Sequence, residues 1–186
     1  MSRMAALTLL AALALLIGFF AIQLRQGGDP SAVPSPLIGK ALEPFALPAL
    51  ANRVKAASPD GLALTDLQDG KVHVVNFFAS WCVTCRQETD ALTALSARSD
   101  IELVGVDYKD RAEAGNAFLA ELGDPYDRIG FDHAGRTAID WGVYGVPETF
   151  VIDGEGRVVA RYAGALTAEP LEKVILPAIT AAQRPR

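Results

Sequence analysis

The longest apolar run in the chain lies at its start. Residues 4–24 carry no charged side chain, with Arg3 before them and Arg25 after. At ~1.5 Å per residue, a helix of this length reaches roughly 31 Å, about one hydrocarbon core. A helix apolar on all faces does not suit the edge of a small domain. The run therefore reads as an uncleaved membrane anchor or as a secretory leader. A leader has a shorter apolar stretch, ~7–15 residues, that ends in a small-x-small site. Phe19-Phe20-Ala21-Ile22-Gln23-Leu24 offers no such site, and the anchor is the reading taken for residues 1–25. One arginine on each flank leaves its orientation open. Residues 26–36 hold Gly27, Gly28, Pro30, Pro34 and Pro36, the composition of a tether. A globular domain is then expected over residues 37–186.

Inside that domain the apolar pattern alternates between strand and helix. Residues 45–50, interrupted by Pro48, read as a short edge strand, and residues 62–67 as a second short element. Val72-His73-Val74-Val75-Asn76-Phe77-Phe78 is rich in β-branched and aromatic residues, the pattern of a buried central strand. Leu92 and Leu95 among polar neighbours fit a helix over residues 84–98. Residues 101–107 form another buried strand, residues 111–122 an amphipathic helix closed by Gly123, and residues 128–131 a short strand. Residues 148–153 and 157–162 are two strands joined by the turn Asp153-Gly154-Glu155-Gly156. A last helix covers residues 168–182 and bends near Pro177. This order predicts an α/β fold, a mixed sheet with helices on both faces.

Composition narrows the function. Hydrophobic residues make up 51% of the 186 positions, which excludes a disordered chain. The net charge of −5, with no basic cluster, argues against a nucleic-acid partner. Two cysteines cannot build a multi-bridge disulfide scaffold. With only two histidines beside them, their spacing fits no common zinc site.

Those two cysteines carry the chemistry. Trp81-Cys82-Val83-Thr84-Cys85 follows a buried strand and opens a helix, which is where a redox C-x-x-C belongs. Free N–H groups at a helix start stabilise a thiolate. Cys82 at the helix mouth is thus the expected exposed nucleophile with a lowered pKa. Cys85, one turn in and more buried, is the resolving thiol. Trp81 either flanks the site and limits approach or packs in the core. Val146-Pro147 precedes a strand and, together with the upstream dithiol, suggests a cis peptide bond. Such a loop leaves the Val146 N–H and C=O free to pair with an extended peptide. His73 reads as strand packing or surface, and His133, in an Asp-His-Ala-Gly turn, as solvent-facing.

At these residues the sequence resembles the thioredoxin superfamily. More narrowly, it is similar to the membrane-anchored thiol:disulfide interchange proteins of bacterial cytochrome c maturation (the CcmG/DsbE type). The likeness runs through Asn76-Phe77-Phe78-Ala79-Ser80-Trp81-Cys82, Thr84-Cys85-Arg86-Gln87-Glu88, Gly105-Val106-Asp107-Tyr108-Lys109-Asp110 and Leu122-Gly123-Asp124-Pro125-Tyr126. Its most specific stretch is Gly142-Val143-Tyr144-Gly145-Val146-Pro147-Glu148-Thr149-Phe150. The resemblance implies a thioredoxin-like fold with an N-terminal extension and a helix–strand insert at about residues 111–131. Two departures stand out. Thioredoxins proper have a buried Asp six residues before the nucleophile, where this chain has Asn76. An amide cannot take a proton, so Glu88, three residues after Cys85, becomes the candidate base. Val83-Thr84 also replaces the proline that many relatives have between the cysteines.

In the resembled group Glu88 and Glu148 belong to an acidic site, expected to select against acidic or bulky partners. Each also has a plainer reading, Glu88 as a first-turn residue favoured by the helix dipole and Glu148 as an exposed strand end. The implied activity is that of a dithiol reductant in the periplasm, single-pass in the inner membrane with a cytoplasmic N-terminus. It reduces a disulfide in apocytochrome c or a haem-ligation protein and is itself re-reduced by a membrane electron donor. Apart from the Cys82-Cys85 disulfide the exchange needs no cofactor, neither haem nor metal. The alternatives are a related reductant, or a metallochaperone, for copper-site assembly in an oxidase.

Overall fold

The computed structural model of the chain describes residues 3–25, 35–55 and 61–184. It divides into an N-terminal unit and a domain. The N-terminal unit contains helix α1, Arg3–Arg25. Side chains are described along only part of α1, and among the described residues no helix is long and apolar enough to cross a membrane. The tether expected at residues 26–36 lies, as far as residue 34, outside the described residues.

The domain is built on a five-stranded sheet in the order β5-β4-β3-β6-β7. Its strands are β3 (Val72–Phe78), β4 (Ile101–Tyr108), β5 (Arg128–Asp132), β6 (Glu148–Ile152) and β7 (Val158–Ala163). β3, β4 and β5 run parallel, while β6 and β7 are antiparallel to the strands they pair with. The sheet is therefore mixed, as the alternation of elements predicts. A small hairpin of β1 (Ala46–Leu47) and β2 (Leu62–Ala63) precedes it, followed by a 3-10 turn over Leu64–Leu67. The helix–strand insert expected at residues 111–131 corresponds to α3 (Ala112–Leu122) and β5.

Alternation along the strands sorts the core onto two faces. On one, Val74, Phe78, Leu103 and Val151 pack with Leu92 and Leu95 of α2 (Thr89–Ser96), with Phe118 of α3 and with Ile175 and Ile179 near the C-terminus. On the other, Val75, Phe77, Val106 and Phe150 pack with Leu47, Leu62 and Trp141. Phe77, Trp141 and Phe150 meet edge to face, with centroids 5.2–5.7 Å apart.

Three local differences from the sequence reading have physical causes. The stretch expected as one helix over residues 84–98 starts as a 3-10 turn, Thr84–Glu88, and becomes α-helical only in α2. The C-terminal helix is divided into α5 (Ala168–Pro170), a π turn (Leu171–Ile175) and α6 (Leu176–Ala182). Pro177, in the first turn of α6, has no N–H to return to the preceding turn, which is where the wider turn sits. A short helix, α4 (Arg136–Asp140), went unread because one turn is too short to display a period.

Candidate functional site

The dithiol sits just past the C-terminal end of β3, the central strand. Ala79 O accepts the Cys82 N–H, turning the chain sharply at the strand end. Cys82 and Cys85 are joined in a disulfide with Cα atoms 5.4 Å apart. The Cys85 N–H donates to Cys82 Sγ at 3.1 Å, so a backbone donor at the start of the turn already points at the sulfur that is to carry charge. One expectation is corrected: Cys82 and Cys85 are 5% and 4% exposed, so exposure does not separate nucleophile from resolving thiol. Their surroundings differ. Cys82 Sγ lies 3.5 Å from the Val146 carbonyl oxygen, at the loop before β6. Cys85 borders a small apolar pocket with Phe78, Leu92, Phe118 and Tyr126.

The Val146–Pro147 peptide is cis, as anticipated from the sequence. Pro147 O accepts the Gly164 N–H, tying the loop to the end of β7. Trp81 and Val83, next to Cys82 in the chain, are 56% and 76% exposed, and Tyr144, two residues before Val146, is 65% exposed. Trp81 is thus a rim residue, not core. Its indole N–H donates to Lys109 O at 3.1 Å. Lys109 is held in the left-handed region at φ 47°.

Beneath the disulfide lies a polar floor within an apolar core. Asn76 is on β3, on the face that carries Val74 and Phe78. Its amide donates to Thr149 Oγ1 at 3.1 Å and to Glu88 Oε2 at 3.3 Å, and its oxygen accepts the Tyr126 hydroxyl at 2.7 Å. Glu88 Oε1 accepts the Leu166 N–H at 2.8 Å. Burial pushes the Glu88 carboxyl up to about 7, against the pull of its Leu166 and Asn76 donors. Cys85 and Glu88 are the two buried residues of the 3-10 turn. With three residues per turn, positions i and i+3 eclipse, so the two stack on one edge. A carboxyl that exchanges its proton near neutrality beside the resolving thiol is equipped to act as that thiol's base. The plainer first-turn reading of Glu88 does not describe this environment.

Glu148 corrects one of its readings: it is not an exposed strand end, since it is 1% exposed. Arg161 Nε donates to Glu148 Oε2 at 2.7 Å, and the Tyr144 N–H donates to Oε1 at 3.1 Å. Burial pushes the Glu148 carboxyl up while Arg161 pulls it down. Arg161 also reaches Gly142 O at 3.0 Å and lies over the Tyr144 ring. Glu148 is therefore the inner fastening of the Tyr144–Pro147 loop. Both Glu148 and Glu88 are enclosed, so neither carboxyl lies on the surface of the site.

Sequence reading did not single out Arg161, and it gave Tyr126, Ser80 and Asp110 no role beyond the family-like stretches that contain them. The Ser80 hydroxyl donates to Asp110 Oδ1 at 2.9 Å, and the Ser80 N–H to Asp110 Oδ2 at 2.5 Å. His133, exposed as expected, nonetheless donates Nδ1–H to Asp110 O at 2.7 Å, the tautomer a carbonyl requires. His73 is fully buried, with Nε2 2.9 Å from Asp69 Oδ1. The available signal was Asp107, an acid at a register where β4 otherwise points Ile101 and Leu103 into the core.

The chain is similar to known proteins over most of its length. The Redoxin family profile matches residues 45–175. The thiol:disulfide interchange protein HelX of Rhodobacter capsulatus is 44% identical over 160 residues, covering 86% of this chain and 85% of HelX. The thiol:disulfide interchange protein DsbE of Escherichia coli is 41% identical over 152 residues, covering 82% of this chain and 79% of DsbE. Among solved structures, a DsbF homologue from Corynebacterium diphtheriae superposes with a TM-score of 0.63 at 25% identity, covering 81% of this chain and 97% of that one.

Proposed function

We propose, from the premise that this chain belongs to the Redoxin family and is a thiol:disulfide interchange protein of the DsbE type, that it works as a selective reductant in cytochrome c biogenesis. The Cys82 thiolate attacks a client disulfide and forms a mixed disulfide; Cys85 then attacks Cys82 and releases the reduced client. Glu88 takes the Cys85 proton as that attack proceeds. The exchange runs on the two sulfurs, with no haem or metal taking part. The client is an oxidised Cys-x-x-Cys-His segment of apocytochrome c or a haem-ligation protein. It lies extended along Gly145-Val146-Pro147 and pairs with the Val146 backbone. A membrane electron donor reduces the disulfide again. Helix α1 serves as an uncleaved inner-membrane anchor, with the N-terminus cytoplasmic and the domain in the periplasm.

The observation that carries this reading is the placement of Cys82 Sγ 3.5 Å from the Val146 carbonyl, with the exposed side chains of Trp81 and Val83 on either side of Cys82 in the chain. A docked backbone and the attacking sulfur then share one edge. The test equilibrates the domain with glutathione and compares reduction of an oxidised Cys-x-x-Cys-His peptide with reduction of insulin. A low potential and a clear preference for the peptide are expected. A potential near about −120 mV, that of a strong oxidant, overturns the reductant role. Equal rates on both substrates overturn the selective docking. Trapping with Cys85→Ser in cells then names the client, and an oxidase copper-site protein in the trap moves the assignment there.

A further inference from the structure

The Asn76 side chain, in the polar floor beneath the disulfide, has two ends of nearly the same shape, an oxygen that accepts and a nitrogen that donates. Both of its N–H groups are in use, one donating to Thr149 Oγ1 at 3.1 Å and one to Glu88 Oε2 at 3.3 Å. Turned over, the amide would present its oxygen to Glu88 instead. A carboxylate repels that oxygen, whereas a protonated Glu88 would donate to it. The direction of the amide therefore sets which form of Glu88 the floor favours.

Tyr126 decides that direction. Its hydroxyl donates to Asn76 Oδ1 at 2.7 Å, and among the described residues it reaches no other acceptor. A turned amide would face this buried hydroxyl with N–H groups and leave its proton orphaned. The ring cannot follow the amide. It stacks on Phe78 with centroids 5.0 Å apart, and it lies so close over Gly105 that an added Cβ there would sit 3.0 Å from it. Arg53 fastens the backbone, donating to Tyr126 O and to both carboxyl oxygens of Asp124. We propose that Tyr126, in the loop between α3 and β5, is a positioning residue for the resolving step: it locks the Asn76 amide with its N–H groups toward Glu88, and so favours the carboxylate that takes the Cys85 proton. This rests on the base role given to Glu88 above, and not on the identity of the client.

The surroundings agree. Burial pushes the Glu88 carboxyl up to about 7, while the Leu166 N–H and the Asn76 amide pull it down. Burial first, and the Glu88 charge second, hold the Tyr126 hydroxyl well above its usual range, so it remains a donor across this interval. On the same face of the sheet, Asp107 lies in register with Phe78, its carboxyl pushed by burial up to about 8. Glu148 and Arg161 pair on the opposite face, in register with Phe77 and Phe150. Arg86 pairs with Glu121 at the surface, and Asp90 of α2 and Glu169, Glu172 and Lys173 after Leu166 are solvent-facing. With the Tyr126 hydroxyl removed, the amide is free to turn its oxygen to a protonated Glu88, and the acid form gains a partner.

The test first uses the oxidised protein, in which neither cysteine titrates. Glutamate side-chain carboxyl carbons are labelled and followed by NMR against pH, with the Glu88 signal identified by its loss in Glu88→Gln. The wild-type midpoint is expected near about pH 7, and that of Tyr126→Phe about one unit higher. In Asn76→Ala, adding Tyr126→Phe should move the midpoint no further. Resolution of a Cys82 mixed disulfide should follow the carboxyl: Tyr126→Phe is about fivefold slower at about pH 7 and within about twofold of wild type at about pH 9. An unmoved midpoint, or an equal move in the Asn76→Ala background, overturns the proposal and leaves the base role of Glu88 standing. A midpoint that moves while the rates do not follow it removes the base role, and the positioning role with it. Slowing that persists undiminished at about pH 9 is lost packing alone and also overturns the proposal. If the Asn76→Ala chains do not fold, the midpoint and rates of Tyr126→Phe decide alone.

Discussion

Asn76 and Glu88 meet inside the protein: the Asn76 amide donates to Glu88 Oε2 at 3.3 Å, and both side chains are fully enclosed. The amide donates to the acid and cannot take its proton. One ionisable carboxyl is thus left on the Cys85 turn, with Tyr126 and Thr149 saturating the amide from the other side. The first expectation follows from that arrangement. In Glu88→Gln, resolution of a Cys82 mixed disulfide should slow by about tenfold or more, the low end of what a positioned base contributes. The wild-type resolution rate should rise with pH around about 7, and that inflection should vanish in the variant. An unchanged rate in a stopped-flow release assay would refute the base role.

Stability should move the other way. The Glu88 carboxyl is pushed up on folding, so the folded chain holds its proton more tightly than the unfolded one. Below the unfolded pKa of about 4.5 both states are protonated and no penalty exists. As pH rises towards about 7, only the unfolded chain releases its proton, and folding stability falls. Glu88→Gln should therefore be neutral near pH 4 and stabilising above pH 7 by up to about 3 kcal/mol. Contact between the new amide and Asn76 trims that gain. Denaturant melts at the two pH values measure the difference.

The Glu148–Arg161 pair predicts a loss on one-sided removal. Their side chains are 1% and 4% exposed and 2.7 Å apart. Arg161→Ala strands a buried carboxyl and should destabilise the domain by about 3 kcal/mol. Because Arg161 also holds Gly142 O, the same variant should slow attack on the peptide disulfide. Equilibrium unfolding and a steady-state exchange assay read the two effects separately.

Gly115 is a close-approach position. Gly115→Ala drives a methyl group into Asp107 Oδ2 and should lower stability by about 2 kcal/mol. Combining it with Asp107→Ala should recover part of that loss, a non-additivity a double-mutant cycle reports directly.

The nucleophile is assigned by its hydrogen bond, not its exposure. With both cysteines reduced, alkylation should show one fast thiol, lost in Cys82→Ser and kept in Cys85→Ser, since the Cys85 N–H supports charge on Cys82 Sγ. The reverse pattern would exchange their roles.

Strand β3 was legible because Val72, Val74 and Phe78 fill one face while Val75 and Phe77 fill the other, a run apolar on both sides. The C-x-x-C at its end and the Val146-Pro147 loop were legible for the same reason, since their types and order carry the chemistry. What periodicity does not encode is partnership across the fold. The plainer reading of Glu148, an exposed strand end, fails because its strand begins there but its partner lies on another strand. Only the antiparallel β6–β7 pairing brings Arg161 to it. The two cysteines looked unequal because a helix start suggests one open and one closed position. The Val146 loop, 64 residues on, closes over the first. Asp107 was read only as part of a family-like stretch, because nothing local says that Gly115 will lie on top of it.

The link from Glu88 to Leu166 spans 78 residues and has a bearing on how the protein is made. A chain synthesised from its N-terminus has both cysteines long before it has Leu166. Until that late segment docks, the acid beside Cys85 lacks its backbone donor and sits in a different electrical setting. A stalled or truncated chain then carries an intact cysteine pair with unfinished proton handling. In this domain the setting of Glu88 is complete only once Leu166 has been made and has docked.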